Sequence, residues 1–375
     1  FERGFIKVLG GHIRDEPLDV SKCDESEVTP VDKVINSWYV KELAKMLGMK
    51  ASDIAKSTPA MESALIRALR LLAQKEAKER LERADHEGRL ITDEEVLLTL
   101  KRWPFYRNPW RKNVMQGGKT WVFSDTLGLL RDRQGDVHLT APTRRYPQVA
   151  ELFARYLTER LPDDAKTFTF TSMNLNCNYA AAMHRDNGNW GPSFIKAFGD
   201  FSGGNLNYWS EDAGGDLTEV ATNKKHSFDL AKGLALFNGN CAHSVDPFEG
   251  SRYSIVWFTV GCHGQAKAED RKKMQQLGIP MPGPKSDPYD LLRPPRGYDS
   301  KAPEPTPAKG GGATYRFYDD AFLQKTQRKL EAKSAAEVKK LSDQRLQPEN
   351  ARSFYSCEAR RARREAEGDG DEMEY

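Results

Sequence analysis

Met183-His184-Arg185-Asp186 is the stretch on which the reading of the fold turns. Side chains alternate with period two along an extended strand, so His184 and Asp186 project from one face and set an imidazole beside a carboxylate. Working outward, Gly233-Leu234-Ala235-Leu236-Phe237 reads as a later buried strand, and Cys241-Ala242-His243 beyond it can bring a second imidazole to the same mouth. Arg252 lies nine residues after His243 and enters the run Tyr253-Ser254-Ile255-Val256-Trp257-Phe258-Thr259-Val260, a further strand. Two histidines and one carboxylate on one face leave coordination positions open, an arrangement that suits non-haem Fe(II) and oxygen chemistry. The planar fork of Arg252 can hold a carboxylate of an organic acid beside such a metal.

These residues resemble the 2-oxoglutarate and Fe(II) dependent dioxygenases, whose double-stranded β-helix carries His-x-Asp, a distal His and a basic residue shortly after it. The resemblance covers residues 120–263. Within that superfamily, Leu175-Asn176-Cys177-Asn178-Tyr179 before the metal pair look like the TET/JBP nucleic-acid base oxygenase branch and its algal relatives. So do Gly191-Pro192-Ser193 and Phe198 to Leu206 after it. The resemblance implies an α+β protein with a double-stranded β-helix (jelly-roll) core, flanking helices and a helical N-terminal extension. It further implies that His184, Asp186 and His243 bind Fe(II), that Arg252 binds the cosubstrate 2-oxoglutarate, and that O2 oxidises a C–H bond of the substrate. In the TET/JBP branch that bond belongs to a methyl group on a nucleic-acid base, which has to be flipped out or unpaired to be reached.

The bland readings compete with the sharp one. A lone His-x-Asp is common by chance, whereas the four-residue constellation is specific: the chain has only seven histidines, and two fall at the ends of a β-rich block that also carries the basic residue. His12, His86, His138, His226 and His263 lack such partners and read as surface or structural. An arginine heading an apolar run needs a buried anion or a water-filled cavity, which favours a cosubstrate contact for Arg252. Asn174, Asn176 and Asn178 share one parity, and Met173, Cys177 and Tyr179 the other. Tyr179 and Asn176 are the favoured polar contacts to the acid, against hydrogen bonds to loop backbone. Three alternatives stay open: ascorbate in place of 2-oxoglutarate, a prolyl- or lysyl-type protein side chain as substrate on the same iron, and a non-catalytic β-sandwich binding module. The complete His, Asp, His and Arg set argues against the last.

Charged residues make up 30% of the 375 and hydrophobic ones 38%, so part of the chain is expected to lie outside a packed core. The net charge of +3 restricts any nucleic-acid surface to a local patch. Cys23, Cys177, Cys241, Cys262 and Cys357 lack CxxC spacing and are odd in number, which points to reduced thiols and an intracellular setting, nuclear or cytoplasmic. No apolar run is long enough to span a bilayer. The chain begins at Phe1, so an upstream targeting segment stays open.

Four parts follow from the pattern along the chain: a helical N-terminal extension over 1–115, the dioxygenase domain over 116–265, a C-terminal extension near the core over 266–298, and a linker with a charged, largely disordered tail over 299–375. Phe5 to Leu9 reads as a short strand and Val31 to Leu47 as a helix. A second helix runs from Pro59, with Ala64, Leu65, Ala68, Leu69, Leu71 and Leu72 as its apolar stripe and a solvated, charged end from Lys75 to Arg83. Thr92-Asp93-Glu94-Glu95 is a capping box. In Lys101 to Lys112 aromatics alternate with basic residues. This is the composition of a nucleic-acid stacking platform, although Trp103, Phe105 and Trp110 packing onto the core, with the charges in water, is the preferred reading. Arg133-Gln134-Gly135-Asp136 turns a hairpin, Val149 to Leu157 is an amphipathic helix, and Thr167 to Thr171 reads as a strand. Gly203-Gly204 is a tight turn, Ser210 to Asp216 a solvated acidic loop, and Lys267 to Gln276 a charged helix. Glu331 to Arg345 reads as an exposed helix, and the arginine cluster Arg360 to Arg364 as a solvated tail or a nuclear address.

Overall fold

The computed structural model describes residues 59–293, apart from 106 and 133, and 312–325. The expected strand at Phe5, the helix from Val31, the helix from Glu331 and the Arg360 cluster lie outside the described residues. All elements below belong to one compact unit that ends at Leu323.

Two antiparallel sheets and a layer of helices make up the architecture. The larger sheet takes the order β1 (Arg107–Asn108), β2 (Val122–Arg131), β4 (Ser172–Cys177), β10 (Phe248–Phe258), β5 (Ser193–Gly203), β8 (Gly233–Phe237) and β11 (Tyr315–Asp319), with β3 (Val137–Leu139) hairpinned onto β2. The smaller sheet runs β7 (His226–Phe228), β6 (Leu206–Tyr208), β9 (His243–Val245). Helices α1 (Pro59–Glu87), α2 (Asp93–Arg102), α3 (Ala141–Arg145) and α4 (Pro147–Thr158) precede β4; α5 (Leu217–Val220) and α6 (Ala268–Gln276) follow later.

Strict alternation in the central strands decides what goes where. In β10, Tyr253, Ile255 and Trp257 face the helices, while Arg252, Ser254, Val256 and Phe258 face a cavity. In β4, Met173, Leu175 and Cys177 join the helical side, and Asn174 and Asn176 turn to the cavity. On the helical side, the Trp257 indole N–H donates to the Phe153 carbonyl of α4 at 3.0 Å, and Tyr156 stacks on Trp257. Phe153 and Phe170 are fully buried here, each contributing roughly 1.5–3 kcal/mol relative to exposure. Between the two sheets, Ile195, Ala197, Leu206, Tyr208, Ala235 and Phe237 form a second apolar cluster.

The capping box forms as read: Glu95 N–H donates to Thr92 Oγ1 at 3.1 Å, and Thr92 N–H donates to Glu95 Oε2 at 2.9 Å. Along α1, Lys75–Glu79, Lys78–Glu82 and Glu76–Arg80 pair at i,i+4 as the charge pattern predicts. Its other face keeps Ala73, Ala77, Leu81 and Ala84 buried, so the charged end is amphipathic rather than wholly solvated. Leu71 departs from the expected stripe at 50% exposure, because the helix turns it away from Leu69 and Leu72. Thr167 to Thr171 joins no ladder as a strand; the paired segment starts at Ser172, and Phe168 and Phe170 are buried as single side chains of an extended lead-in. No strand was read beyond residue 299, yet Tyr315–Asp319 adds an edge to β8 through Phe317↔Ala235 and its neighbours. Trp103 and Phe105 are buried in the helical core as expected, whereas Trp110 is 68% exposed. No helix among the described residues is long and apolar enough to cross a membrane.

Candidate functional site

His184 and His243 face each other across an antiparallel bridge, each amide N–H donating to the other's carbonyl at 3.0 Å. Directly opposed residues on such a pair share a face, and the two imidazole centroids lie 4.2 Å apart. Asp186, two residues on, shares the parity of His184, and its amide donates to the Gly239 carbonyl at 2.8 Å. His184 Nε2 stands 3.6 Å from Asp186 Oδ1 and His243 Nε2 stands 3.8 Å from Asp186 Oδ2. One donor atom from each of the three lies within 4.8 Å of the others, which is the separation a single cation can bridge.

The opposite edge of each ring is already engaged. His184 Nδ1–H donates to the Ala182 carbonyl at 2.8 Å, and His243 Nδ1–H donates to the Cys241 carbonyl at 2.9 Å. A carbonyl can only accept, so the proton sits on Nδ1 and the Nε2 lone pair is left for a ligand bond. Burial, and then the facing His243, push the His184 imidazole down to about 3, so it stays neutral across the physiological range.

These three residues line a cavity of about 90 Å3 that also receives Arg252, Asn176 and Tyr179. Arg252 stands inside β10 rather than at its start, opposite Gly199 of β5 and only 3% exposed. Its Nε and Nη2 are buried with no hydrogen-bond partner, and the guanidinium lies over Phe201 and Phe248. Burial pulls this group down to about 10. A buried cation without a counter-ion is costly, and an anionic ligand in the cavity is the simplest compensation. A Cβ on Gly204 would stand 2.9 Å from Arg252 Nε, so the bare backbone there gives the guanidinium its room.

Asn176 and Tyr179 have opposite parity in sequence, yet both reach the cavity. Asn178 adopts φ +50°, and this left-handed residue resets the alternation so that Tyr179 comes round beside Asn176. The Tyr179 hydroxyl donates to Asn176 Oδ1 at 2.5 Å, and Asn174 Nδ2 donates to the same oxygen at 2.8 Å. Asn176 Nδ2 donates to Ser254 Oγ at 3.3 Å. The two residues thus bond to other cavity side chains rather than to loop backbone.

Two residues escaped the sequence reading. Asp212, placed there in a solvated acidic loop, is 1% exposed and takes Arg185 on both oxygens at 2.6 and 2.7 Å. It also accepts from the Ala242 amide at 2.6 Å. The loop is anchored because its carboxylate ties together the segments that carry the three clustered residues. Arg111, from the basic and aromatic run, lines the same cavity, and its Nε is buried without a partner. The run's alternation of charge and aromatics gave a hint of function there, but not of which charge turns inward.

Fold and site together define a helix-covered, antiparallel-sheet protein with a two-histidine, one-carboxylate cluster beside an unpaired arginine. Among solved structures, NgTET1 in complex with 5mC DNA matches at 19% identity over 41% of this chain and 68% of that one, with a TM-score of 0.27. A prolyl hydroxylase in complex with a hypoxia inducible factor oxygen degradation domain peptide fragment, from Trichoplax adhaerens, matches at 13% identity. That match covers 65% of this chain and 98% of the other, with a TM-score of 0.25. Both neighbours are 2-oxoglutarate/Fe(II) dioxygenases, the superfamily that the sequence resembles. No protein-family model matches the chain, and no curated protein matches it.

Proposed function

We propose that this protein is an Fe(II)-dependent dioxygenase built on a double-stranded β-helix, which uses 2-oxoglutarate and O2 to oxidise a C–H bond. The observation that carries the reading is the pairing, in one cavity, of the His184, Asp186 and His243 cluster with the buried, unpartnered guanidinium of Arg252. The donor set fits a divalent iron: two imidazoles whose Nδ1 edges are engaged by carbonyls, leaving Nε2 for a ligand, and one carboxylate. Bound there, Fe(II) would supply the activation of O2 that amino-acid side chains cannot.

The chain's own residues do the rest. Arg252 donates to the far carboxylate of the acid in a forked, charge-assisted contact. Tyr179, Asn176 and Asn174 orient it as polar groups already fixed by one another. Ile195, Leu206, Phe237, Val256 and Phe258 wall the cavity and keep water from the reacting centre.

For the substrate, a methyl group on a nucleic-acid base is the reading the surface favours. Between Glu95 and Asp125 there is no acidic residue, while Arg107, Lys112 and Lys119 are exposed along with Trp110 on the segment that delivers Arg111 to the cavity. Exposed cations beside an aromatic face suit a phosphate backbone and an unpaired base.

Anaerobic loading with Fe(II), followed by titration with 2-oxoglutarate, tests the assignment. The weak visible charge-transfer band of the chelate is expected in the wild type and absent in His184→Ala, and Asp186→Ala is expected to abolish turnover while leaving the far-UV spectrum intact. Turnover retained by Asp186→Ala would sink the reading.

A further inference from the structure

Strand β11 covers the outer edge of β8, and its alternation sends side chains two ways. Tyr318 joins the helical core, while Tyr315 and Phe317 pack on the cluster between the two sheets. Phe317 stacks on Phe228 with centroids 5.5 Å apart, and Tyr315 lies 4.3 Å from His226 and 6.2 Å from Tyr208. Gly233 leaves room for this packing, since a Cβ there would meet Phe317 Cζ at 2.5 Å. Polar ties hold the same stretch. Lys196 Nζ pairs with Asp320 at 3.0 Å, and Arg316 and the Tyr318 hydroxyl donate to Asp164 at 2.9 and 3.2 Å. The Arg293 amide donates to the Ala313 carbonyl at 2.8 Å.

A line of contacts leads from this strand to His243. The Tyr208 hydroxyl donates at 3.1 Å to the carbonyl of Thr314, the residue before β11. Tyr208 is fully buried, and a buried phenol needs such an acceptor. It stands directly opposite His243 in the β6–β9 ladder, where opposed side chains share a face. Phe237 bridges the two, edge-on to Tyr208 at 5.6 Å and to His243 at 5.1 Å. The bond from His243 Nδ1–H to the Cys241 carbonyl sets the tautomer, and the flanking Phe237 ring sets the tilt that aims Nε2 at Asp186.

We propose that β11 is part of the support of the His184, Asp186 and His243 cluster, and that Tyr208 is the positioning residue that carries it. Seated β11 presents the Thr314 carbonyl, the carbonyl holds Tyr208, and Tyr208 holds Phe237 against the His243 imidazole. The proposal rests on the reading of that cluster as a metal site. It makes the affinity for the metal depend on a strand that follows the last ligand by about seventy residues. Tyr208 itself does not line the cavity, so its effect has to pass through Phe237.

The test uses Co(II) as the probe, titrated into the full chain and followed by its visible d–d absorption. Wild type, His184→Ala, Tyr208→Phe, Phe317→Ala and the double variant Tyr208→Phe/Phe317→Ala are compared, each with its melting temperature without metal. Tyr208→Phe keeps the ring and loses only the bond to Thr314. It is expected to lower Co(II) affinity roughly tenfold, the low end for partners that orient a metal ligand, and to shift the d–d band. Phe317→Ala unseats β11 and is expected to do the same. The double variant is expected to bind no more weakly than the weaker single variant, because both changes cut one line of contacts. A purely structural role would lower the melting temperature and leave the affinity and the band of the folded protein where they were. Should Phe317→Ala fail to fold, Arg316→Gln, which loosens β11 at Asp164, takes its place in the cycle. Wild-type affinity and band in Tyr208→Phe, or additive losses in the double variant, would overturn the proposal. If wild type and His184→Ala titrate alike, the metal-site reading itself falls, and this proposal with it.

Discussion

Asp212 shows what one buried carboxylate can hold in place. Arg185, which donates to both of its oxygens, stands between His184 and Asp186, and Ala242, whose amide donates to it, immediately precedes His243. A fourth hydrogen bond comes from the Gly214 amide at 2.9 Å. Asp212→Asn keeps the volume but turns one acceptor into a donor facing donors, which frees both ligand segments. Metal affinity, measured by Co(II) competition titration, is expected to fall by about 10- to 100-fold while the far-UV spectrum holds. The pH dependence follows from the same contacts. Burial by itself would raise this carboxyl, but Arg185 and the two amides outweigh it and hold it below the ordinary range. A carboxyl depressed in the folded state stabilises fully above its unfolded value, about 3.9, and loses that contribution as the pH falls through the folded value. Below about pH 4 the wild type is therefore expected to lose melting temperature more steeply than Asp212→Asn. The cavity brings together His184, Asp186, His243 and Arg252, which the sequence marks by residue type and by two short spacings, His-x-Asp and the nine residues from His243 to Arg252. Asp212 carries no such mark, since no motif ties it to Arg185, 27 residues away, and an aspartate among glycines reads as a turn.

Elements obey the period-two rule until one residue breaks it, and the breaks are what shape the cavity. Tyr253 to Phe258 alternates in the structure as it does in the sequence, so the face that Ser254 and Val256 present could be read directly. The extension of β10 back to Phe248 could not, because Gly250 sits at φ +95° within it and interrupts the pattern. Asn178 has the same effect after β4, and no propensity rule announces a left-handed asparagine there. Gly204 is the break closest to function. It adopts φ +67°, and a methyl group would meet Arg252 Nε at 2.9 Å and Cδ at 3.0 Å. Gly204→Ala is expected to cost about 1–2 kcal/mol of stability from the left-handed backbone. By displacing the guanidinium, it is also expected to weaken 2-oxoglutarate binding roughly tenfold, the equivalent of one lost charged hydrogen bond. Thermal melting and the chelate titration read the two effects separately; a stability loss with unchanged acid affinity would mean that Arg252 does not need that space.

Across the whole described molecule, one of the ties between the helical layer and the sheet is a largely buried carboxylate. Asp125 of β2 accepts from Arg70 of α1 at 2.5 Å and from the Trp103 indole, just past α2, at 2.9 Å. Arg70 also donates to the Pro104 carbonyl at 3.1 Å and lies over the Trp103 ring, 4.3 Å from its centre. Three parts of the chain distant in sequence therefore meet at one ion pair, on the face of the sheet opposite the cavity. Removing one partner of such a pair strands the other charge in an apolar setting, so Asp125→Ala is expected to cost about 3–5 kcal/mol in urea unfolding at neutral pH. The helices and the sheet also share one apolar core, in which Leu100, Trp103 and Phe105 pack in the same cluster as Leu175 and Trp257. Loss of that clamp should therefore not peel the helices away and leave the site standing. Helical circular dichroism and the d–d absorption of Co(II) at the His184 cluster are expected to report one common midpoint in both wild type and Asp125→Ala. A Co(II) signal that outlasts the helical signal would show that the sheet holds the metal cluster without the helices, and the clamp would then bear on stability alone.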